Sequence, residues 1–136
     1  MDIEIITLCD AATDQMGKLN ILGAFDTIYA ESFPYKHHMC AVALRIRFSK
    51  IEQGQHSLRL NFVDEDGKDV LPPLKGEIGI RMNEDKQSLA SNMILYVNGI
   101  TFNRPGHYSF DLAIDGRSDK SLPVFVRQRK RLEQNK

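Results

Sequence analysis

The chain has 136 residues, of which 42% are hydrophobic and 26% are charged, and these are ordinary values for a globular protein. This composition excludes an overall disordered chain, and the length suits one domain that folds without a metal or a disulfide. The 18 basic and 18 acidic residues balance, so the chain as a whole has no basic excess for binding nucleic acid.

The charges are unevenly distributed along the chain. Residues 127–136 hold five basic residues and one acidic residue, which leaves 13 basic and 17 acidic residues in the rest. We therefore predict one domain over residues 1–126, followed by a basic, frayed tail over residues 127–136. Only this tail is suited to binding nucleic acid.

Period-two alternation of apolar residues predicts β-strands through most of the chain. Residues 3–9 and 18–29 are apolar on both faces in places, as in an inner strand or a strand bulged at Gly23. The alternation is clearest at residues 40–48 and 58–62. It returns at residues 78–82, 89–97, 108–114 and 122–126.

Turn signals separate these apolar segments. About eight short strands at roughly ten-residue spacing predict an all-β antiparallel sandwich, immunoglobulin-like or a related Greek key. The pairs that favour tight reversals are Gln53-Gly54, Asp66-Gly67, Asn98-Gly99, Pro105-Gly106 and Asp115-Gly116.

Tyr108 follows Pro105-Gly106 and opens an alternating strand. In immunoglobulin-like domains, a tyrosine near a strand start bonds its hydroxyl back to the chain a few residues upstream. We expect Tyr108 to do the same, and an ordinary core tyrosine is the alternative.

Cys9 and Cys40 lie in apolar, strand-like segments, where buried free thiols are common. The sequence has no charged n-region before an apolar stretch and no apolar run of transmembrane length. It also lacks an Asn-x-Ser/Thr acceptor. These features predict unbridged cysteines, a cytoplasmic location and no membrane association.

Four acidic residues surround Gly67, and Asp64, Asp66 and Asp69 are the weak candidates for a cation site. Their spacing does not complete an EF-hand loop, and Asp-Gly between alternating strands is a hairpin signal. A solvated turn is the favoured interpretation.

His37, His38, Met39 and Cys40 bring three types of soft-metal ligand together. Zinc sites usually draw on two separated ligand pairs, and no second pair follows here. We predict a polar loop that enters a strand rather than a metal site.

Arg45, Arg47 and Arg59 are expected on the outward faces of two neighbouring strands, where they form a weak candidate site for an anion or a partner. The alternatives are a solvated face, or a partner-facing surface paired with acidic residues. No nucleophile elbow and no phosphate-binding glycine loop is present, so no catalytic residue and no cofactor is predicted.

Several motifs resemble those of an uncharacterised bacterial family known only as a domain of unknown function. The resemblance runs to about Arg129, and it implies a bacterial, cytoplasmic, one-domain β-protein without assigning an activity or site residues. The motifs are CDAATDQMGKLNILGAFDTI, NFVDEDG, PGHYSFDLAIDG and LPVFVRQ.

The function remains unknown at this point, and the leading hypothesis is a non-catalytic protein-interaction or structural β-domain. One alternative is a small-ligand binder or an enzyme with a site built from loops. A second is a nucleic-acid-associated protein that acts through its basic tail. Residues 19–29 are rich in apolar side chains on both faces. This pattern favours an edge strand that pairs with a second copy of the chain or with a permanent protein partner. A central strand covered on both faces is the other interpretation of this segment.

Overall fold

The computed structural model describes residues 1–130, and the remaining six residues of the predicted tail lie outside the described part. A 3-10 turn at Lys50–Glu52 connects two of its nine strands. The strands are β1 (Asp2–Gln15), β2 (Lys18–Ala24), β3 (Thr27–Ala30), β4 (Tyr35–Ser49), β5 (Gly54–Val63), β6 (Leu74–Ile80), β7 (Ser88–Phe102), β8 (Gly106–Ile114) and β9 (Arg117–Gln128).

The strands form two sheets that pack face to face, which confirms the predicted β-sandwich. Sheet 1 has the order β2-β1-β4-β7, and sheet 2 has the order β3-β9-β8-β5-β6. The pairs are antiparallel except for β3 with β9, which run parallel. The predicted antiparallel arrangement therefore holds for every other pair among the described residues.

The strand order is that of an immunoglobulin-like sandwich. Strands β9-β8-β5-β6 follow the G-F-C-C′ order of a variable-type sheet, and β4 and β7 take the places of B and E. Tyr108 lies near the start of β8, the F-like strand, and its hydroxyl donates to the Arg104 carbonyl at 2.9 Å. This bond confirms the expected tyrosine corner.

The core lies between the sheets and consists of the inward residues of the alternating segments. Phe62 is at its centre, with ring centroids 4.3 Å from Phe110 and 5.7 Å from Tyr108. On β4, Val42, Leu44, Ile46 and Phe48 are fully buried, as the alternation predicts.

A second, smaller cluster lies on the outer face of sheet 1. Cys9, Ala12, Ala41 and Ala43 are buried there, and Leu19 and Ile94 pack against them. They are covered because β1 leaves β4 at Cys9 and continues with β2 as a ribbon that folds back over β4 and β7. We call this ribbon, residues 10–22, the folded-back hairpin.

Hydrogen bonds hold the tip and the base of the folded-back hairpin. The Gly17 carbonyl accepts from Arg45 Nη1 at 3.2 Å and from Asn92 Nδ2 at 3.1 Å. The Tyr96 hydroxyl donates to the Ala12 carbonyl at 2.7 Å. Small side chains on β4 fit this arrangement because they leave room for the ribbon to approach the sheet.

The segment at residues 19–29 is not a central strand. It supplies β2 and β3, which are edge strands of different sheets, and the chain crosses between the sheets near Phe25. The Phe25 N–H donates to the Leu8 carbonyl at 2.9 Å at this crossing. This segment therefore lies at sheet edges, and its pairing with a second chain stays a prediction.

Two further sequence predictions need correction at the level of boundaries and turns. Strand β9 continues to Gln128, so the folded domain extends past the predicted boundary at residue 126. Asn98-Gly99 is not a turn between strands but lies inside β7, where Gly99 has a φ of +88°. The left-handed conformation there marks an irregularity in the strand.

Cys9 and Cys40 are both free and buried, as predicted. Cys40 belongs to the main core, whereas Cys9 belongs to the cluster under the folded-back hairpin. The two thiols therefore lie on opposite faces of sheet 1, which prevents a bridge. Burial raises the pKa of the Cys40 thiol to about 11, so it stays protonated.

Candidate functional site

Arg45 and Arg47, two of the predicted anion-binding residues, are paired within the chain. Glu4 bridges them, with its Oε1 3.1 Å from Arg45 Nε and its Oε2 2.7 Å from Arg47 Nε. Glu4 lies at the register shift between Ile3 and Ile5, and this bulge directs its carboxylate outward. The hydrogen bond from Arg47 lowers the pKa of Glu4, so the carboxylate is ionised at neutral pH.

Arg59 does not join these residues. The prediction of one arginine face on neighbouring strands is wrong, because β4 and β5 belong to different sheets and the core separates their outer faces. Arg59 lies directly opposite Lys75 on β6, beside a shallow groove of about 530 Å³. Within residues 1–130, no carboxylate forms an ion pair with either side chain.

The acidic turn uses its carboxylates for local structure. Asp64 Oδ1 accepts the backbone N–H groups of Asp66 and Lys68, each at 2.9 Å, and these bonds lower the pKa of Asp64. Asp66 lies 3.7 Å from Arg104, and Asp69 is held in an isolated bridge with Val63. Within residues 1–130, no three His, Cys, Asp or Glu side chains converge on one point.

His37 and His38 lie inside β4, not in the loop that the sequence predicts. The strand extends to Tyr35 because β7 is long enough to pair with it, and Tyr35 is in register with Phe102. His38 is exposed, whereas His37 is half-buried. The group His37–Cys40 therefore points in different directions and offers no shared metal site.

His37 belongs to a cleft of about 420 Å³ beside the crossing from β2 to β3. We call this the crossing cleft. Asp10 reaches it from β1, and Gly23 lies at the end of β2 with a φ of +69°. The remaining lining residues are Ala24, Phe25, Thr27, Ile28, Tyr29 and Tyr35.

The His37 ring is held by aromatic neighbours but is incompletely hydrogen-bonded. Its Nδ1 lies 3.4 Å from the Tyr35 hydroxyl, and its centroid is 5.9 Å from the Phe25 ring. Its Nε2 is buried and has no hydrogen-bond partner among the described residues. Burial lowers the pKa of His37, so the ring is neutral at neutral pH.

His56 has the opposite environment, because both of its ring nitrogens meet acceptors. Nδ1 lies 2.7 Å from Asp115 Oδ2, and Nε2 lies 2.6 Å from the Glu52 carbonyl. Only a doubly protonated ring can donate to both. The hydrogen bond with Asp115 accordingly raises the pKa of His56, and the pair connects β5 to the turn between β8 and β9.

Strand β7 forms an unusual edge of sheet 1. Among the described strands it pairs with β4 alone, and its 15 residues include no charged side chain, no histidine and no proline. Residues 89–95 are all half-buried, so apolar side chains on this strand remain partly exposed. The absence of charge and proline leaves the edge without the usual protection against pairing.

The other three edges are shorter or better protected. Strand β3 has four residues, and β6 has seven residues that include Lys75 and Glu77. Strand β2 has seven residues that include Lys18. Among the described strands, β7 therefore offers the longest unprotected edge for another strand.

Residues 4–127 match the family model described as Family of unknown function (DUF6941). The chain belongs to this family. The resemblance inferred from the motifs is confirmed, and the function of the DUF6941 domain is unknown. No curated protein shows significant sequence similarity to the chain. No helix within residues 1–130 has the length and apolarity needed to cross a membrane.

Sequence reasoning missed both the β7 edge and the crossing cleft of this DUF6941 domain. The absence of charge over residues 88–102 is visible in the sequence and could have indicated an edge open to pairing. The cleft leaves no comparable signal, because Asp10, Gly23 and His37 are far apart in the chain and meet only through the sheet crossing.

Proposed function

We propose that the domain is a non-catalytic interaction module that forms a homodimer by pairing β7 with β7 of a second copy. One observation carries this proposal: β7 is a 15-residue edge strand without charge or proline. Pairing across this edge satisfies unpaired backbone groups and covers the partly exposed Leu89, Met93 and Leu95.

A second copy is the favoured partner because an uncharged strand is compatible with itself. In a two-fold dimer, each residue of β7 faces a residue of the same strand, and like charges in register would repel. Strand β7 avoids this repulsion at every register. The balanced charge of the chain also minimises long-range repulsion between copies.

We infer that the module acts in the bacterial cytoplasm. Two buried free thiols on opposite faces of sheet 1 support a reducing compartment. The bacterial assignment rests on the family resemblance of the motifs.

Neighbouring proline substitutions test the proposal with an internal control. Successive N–H groups of a strand point to opposite edges, so one of Ala90 and Ser91 donates towards β4 and the other towards the unpaired edge. Ala90→Pro and Ser91→Pro should therefore differ. One should strongly destabilise the domain itself, whereas the other should abolish the dimer and leave a folded single chain that loses only the stability contributed by dimerisation.

Light scattering across a hundredfold concentration range measures the mass against the 15.5 kDa of one chain. The natural chain should give twice that mass, and the stable β7 proline variant should give the single-chain mass. Asn20→Pro and Ile21→Pro are the control variants in β2, the other edge strand of sheet 1, and they should leave the dimer intact. A monomeric natural chain, or a dimer broken by the β2 variants instead, would overturn the proposal.

A further inference from the structure

The crossing cleft combines a carboxylate, aromatic rings and an imidazole whose Nε2 has no hydrogen-bond partner among the described residues. We propose that it binds an organic cation through a guanidinium or ammonium group placed between Asp10 and the aromatic side chains. This site is distinct from the unpaired edge of β7, because its lining comes from β1, from the crossing between β2 and β3, and from the start of β4.

Asp10 supplies the negative charge. Within residues 1–130, its carboxylate has no ion-pair partner and no side-chain hydrogen bond. The backbone of Gly23 lies so close that a Cβ at that position would be 2.5 Å from Asp10 Oδ2. Glycine therefore leaves room for the carboxylate at this position, and its φ of +69° is one that other residues rarely adopt.

Aromatic rings form much of the rest of the cleft. Phe25, Tyr29 and Tyr35 line it, and a cation is attracted to the face of such rings. The rim already contains one example of this contact, because the Arg129 guanidinium carbon lies 5.6 Å from the centroid of the Tyr29 ring. The same chemistry can serve a cation from outside the chain.

His37 is a further lining residue of the cleft. A buried polar atom without a hydrogen bond is costly, and Nε2 of His37 is such an atom among the described residues. Because burial lowers the pKa of this ring, it is neutral at neutral pH and does not repel a cation. The cleft volume of about 420 Å³ falls within the usual range for small-ligand sites.

A matched pair of ligands tests the charge requirement. N-acetyl-arginine amide carries the guanidinium group, and N-acetyl-citrulline amide has nearly the same shape without the charge. A nuclear magnetic resonance titration of the full chain should show saturable shifts at Gly23 and His37 with the arginine compound. The citrulline compound should bind at least about tenfold more weakly, the effect of losing one charge-assisted hydrogen bond.

Asp10→Asn should cause a similar loss of at least about tenfold, since it removes the charge and retains the shape. Asp119→Asn, an equal change of charge on exposed β9, is the control and should leave binding unchanged. Melting temperatures establish that both variants are folded. Equal binding of the two ligands, no saturable shift with either, or full binding by Asp10→Asn would overturn the proposal.

Agmatine, a small free amine with the same guanidinium group, distinguishes two sources of the cation. Tighter binding of agmatine than of N-acetyl-arginine amide supports a site for free amines. The reverse order supports a site for a basic side chain of a polypeptide. Failure of these titrations leaves the β7 dimer untouched, because that proposal is measured by mass and by proline variants on another strand.

Discussion

The two outer faces of the sandwich carry the same sequence pattern and have different structures. On sheet 1, Arg45 and Arg47 are bonded to Glu4, and the folded-back hairpin covers the neighbouring alanines. On sheet 2, Arg59 faces Lys75 across the strands and stays exposed. The outward position of an arginine on an alternating strand therefore does not reveal its role. That role depends on which residues cover the arginine and which bond to it.

The difference arises because the outer face of sheet 1 anchors the folded-back hairpin, whereas the outer face of sheet 2 anchors no such segment within residues 1–130. The sheet 1 network fixes a ribbon, because Arg45 bonds to both Glu4 and the Gly17 carbonyl at the hairpin tip. On sheet 2, Arg59 Nε donates only to Asn61 Oδ1 on its own strand, at 3.2 Å among the described residues, and the two like charges of Arg59 and Lys75 in register are unfavourable. We therefore expect changes on the covered face to cost stability and equivalent changes on the open face to cost little.

The largest expected effect comes from enlarging a covered alanine. Ala43 is fully buried beneath the folded-back hairpin, so Ala43→Leu should destabilise the domain by about 1–3 kcal/mol through overpacking. Ala113→Leu is the matched change on the open face, next to Arg59, and should stay within about 0.5 kcal/mol. Urea unfolding measures the free energy of unfolding of both variants. An equal loss of stability in the two would contradict the conclusion that the folded-back hairpin covers Ala43.

A smaller effect is expected when the acidic bridge is neutralised. Glu4→Gln should weaken the anchor of the hairpin tip, seen as faster amide hydrogen exchange over residues 12–22. Arg59→Gln, the matched change on sheet 2, should leave that exchange unaltered. Unchanged protection of the hairpin in Glu4→Gln would show that the arginine network does not hold it.

The Glu4 bridge also predicts a pH dependence. The pKa of Glu4 is lowered in the folded chain from its ordinary 4.5, so its contribution is complete above that value. This contribution is lost as the pH falls from 4.5 through the lowered pKa. The difference in melting temperature between the natural chain and Glu4→Gln should therefore shrink in acid. A constant difference from pH 7 to pH 3 would contradict this linkage.

Much of the sandwich was predictable because it rests on local alternation. The inward residues of β4, β5 and β8 are buried as predicted, since each strand shows its apolar face in its own sequence. The hydrogen bond from Tyr108 to Arg104 spans only four residues and was equally predictable from the sequence. These features depend on short stretches of chain and need no knowledge of strand order.

The arrangement of the faces was not predictable in the same way. Arg59 was misplaced because the chain crosses between the sheets after β4, where Ser49 N–H and hydroxyl donate to Glu52 Oε1 at 2.8 and 2.9 Å. Ser49 and Glu52 fit a capping motif, which was the available signal that this connection is not a tight hairpin. The fold-back of the hairpin depends on contacts between Gly17, Arg45 and Asn92, which are distant in sequence.

The smallest expected effect is a stabilisation on the open face. Because Lys75 lies directly opposite Arg59, Lys75→Glu replaces two like charges with an ion pair. Both side chains are exposed, so the gain should be only about 0.2–1 kcal/mol, and Glu77 on the same strand reduces it.

A double-mutant cycle with Arg59→Gln isolates this pair, because Lys75→Glu should lose its benefit when Arg59 is neutral. Lys75→Gln, which removes the repulsion without creating an ion pair, should give a smaller gain than Lys75→Glu. Salt at about 1 M should reduce both gains, since exposed charges are screened. A loss of stability in Lys75→Glu would mean that Arg59 and Lys75 serve a role on this face that the open, unpaired geometry does not explain.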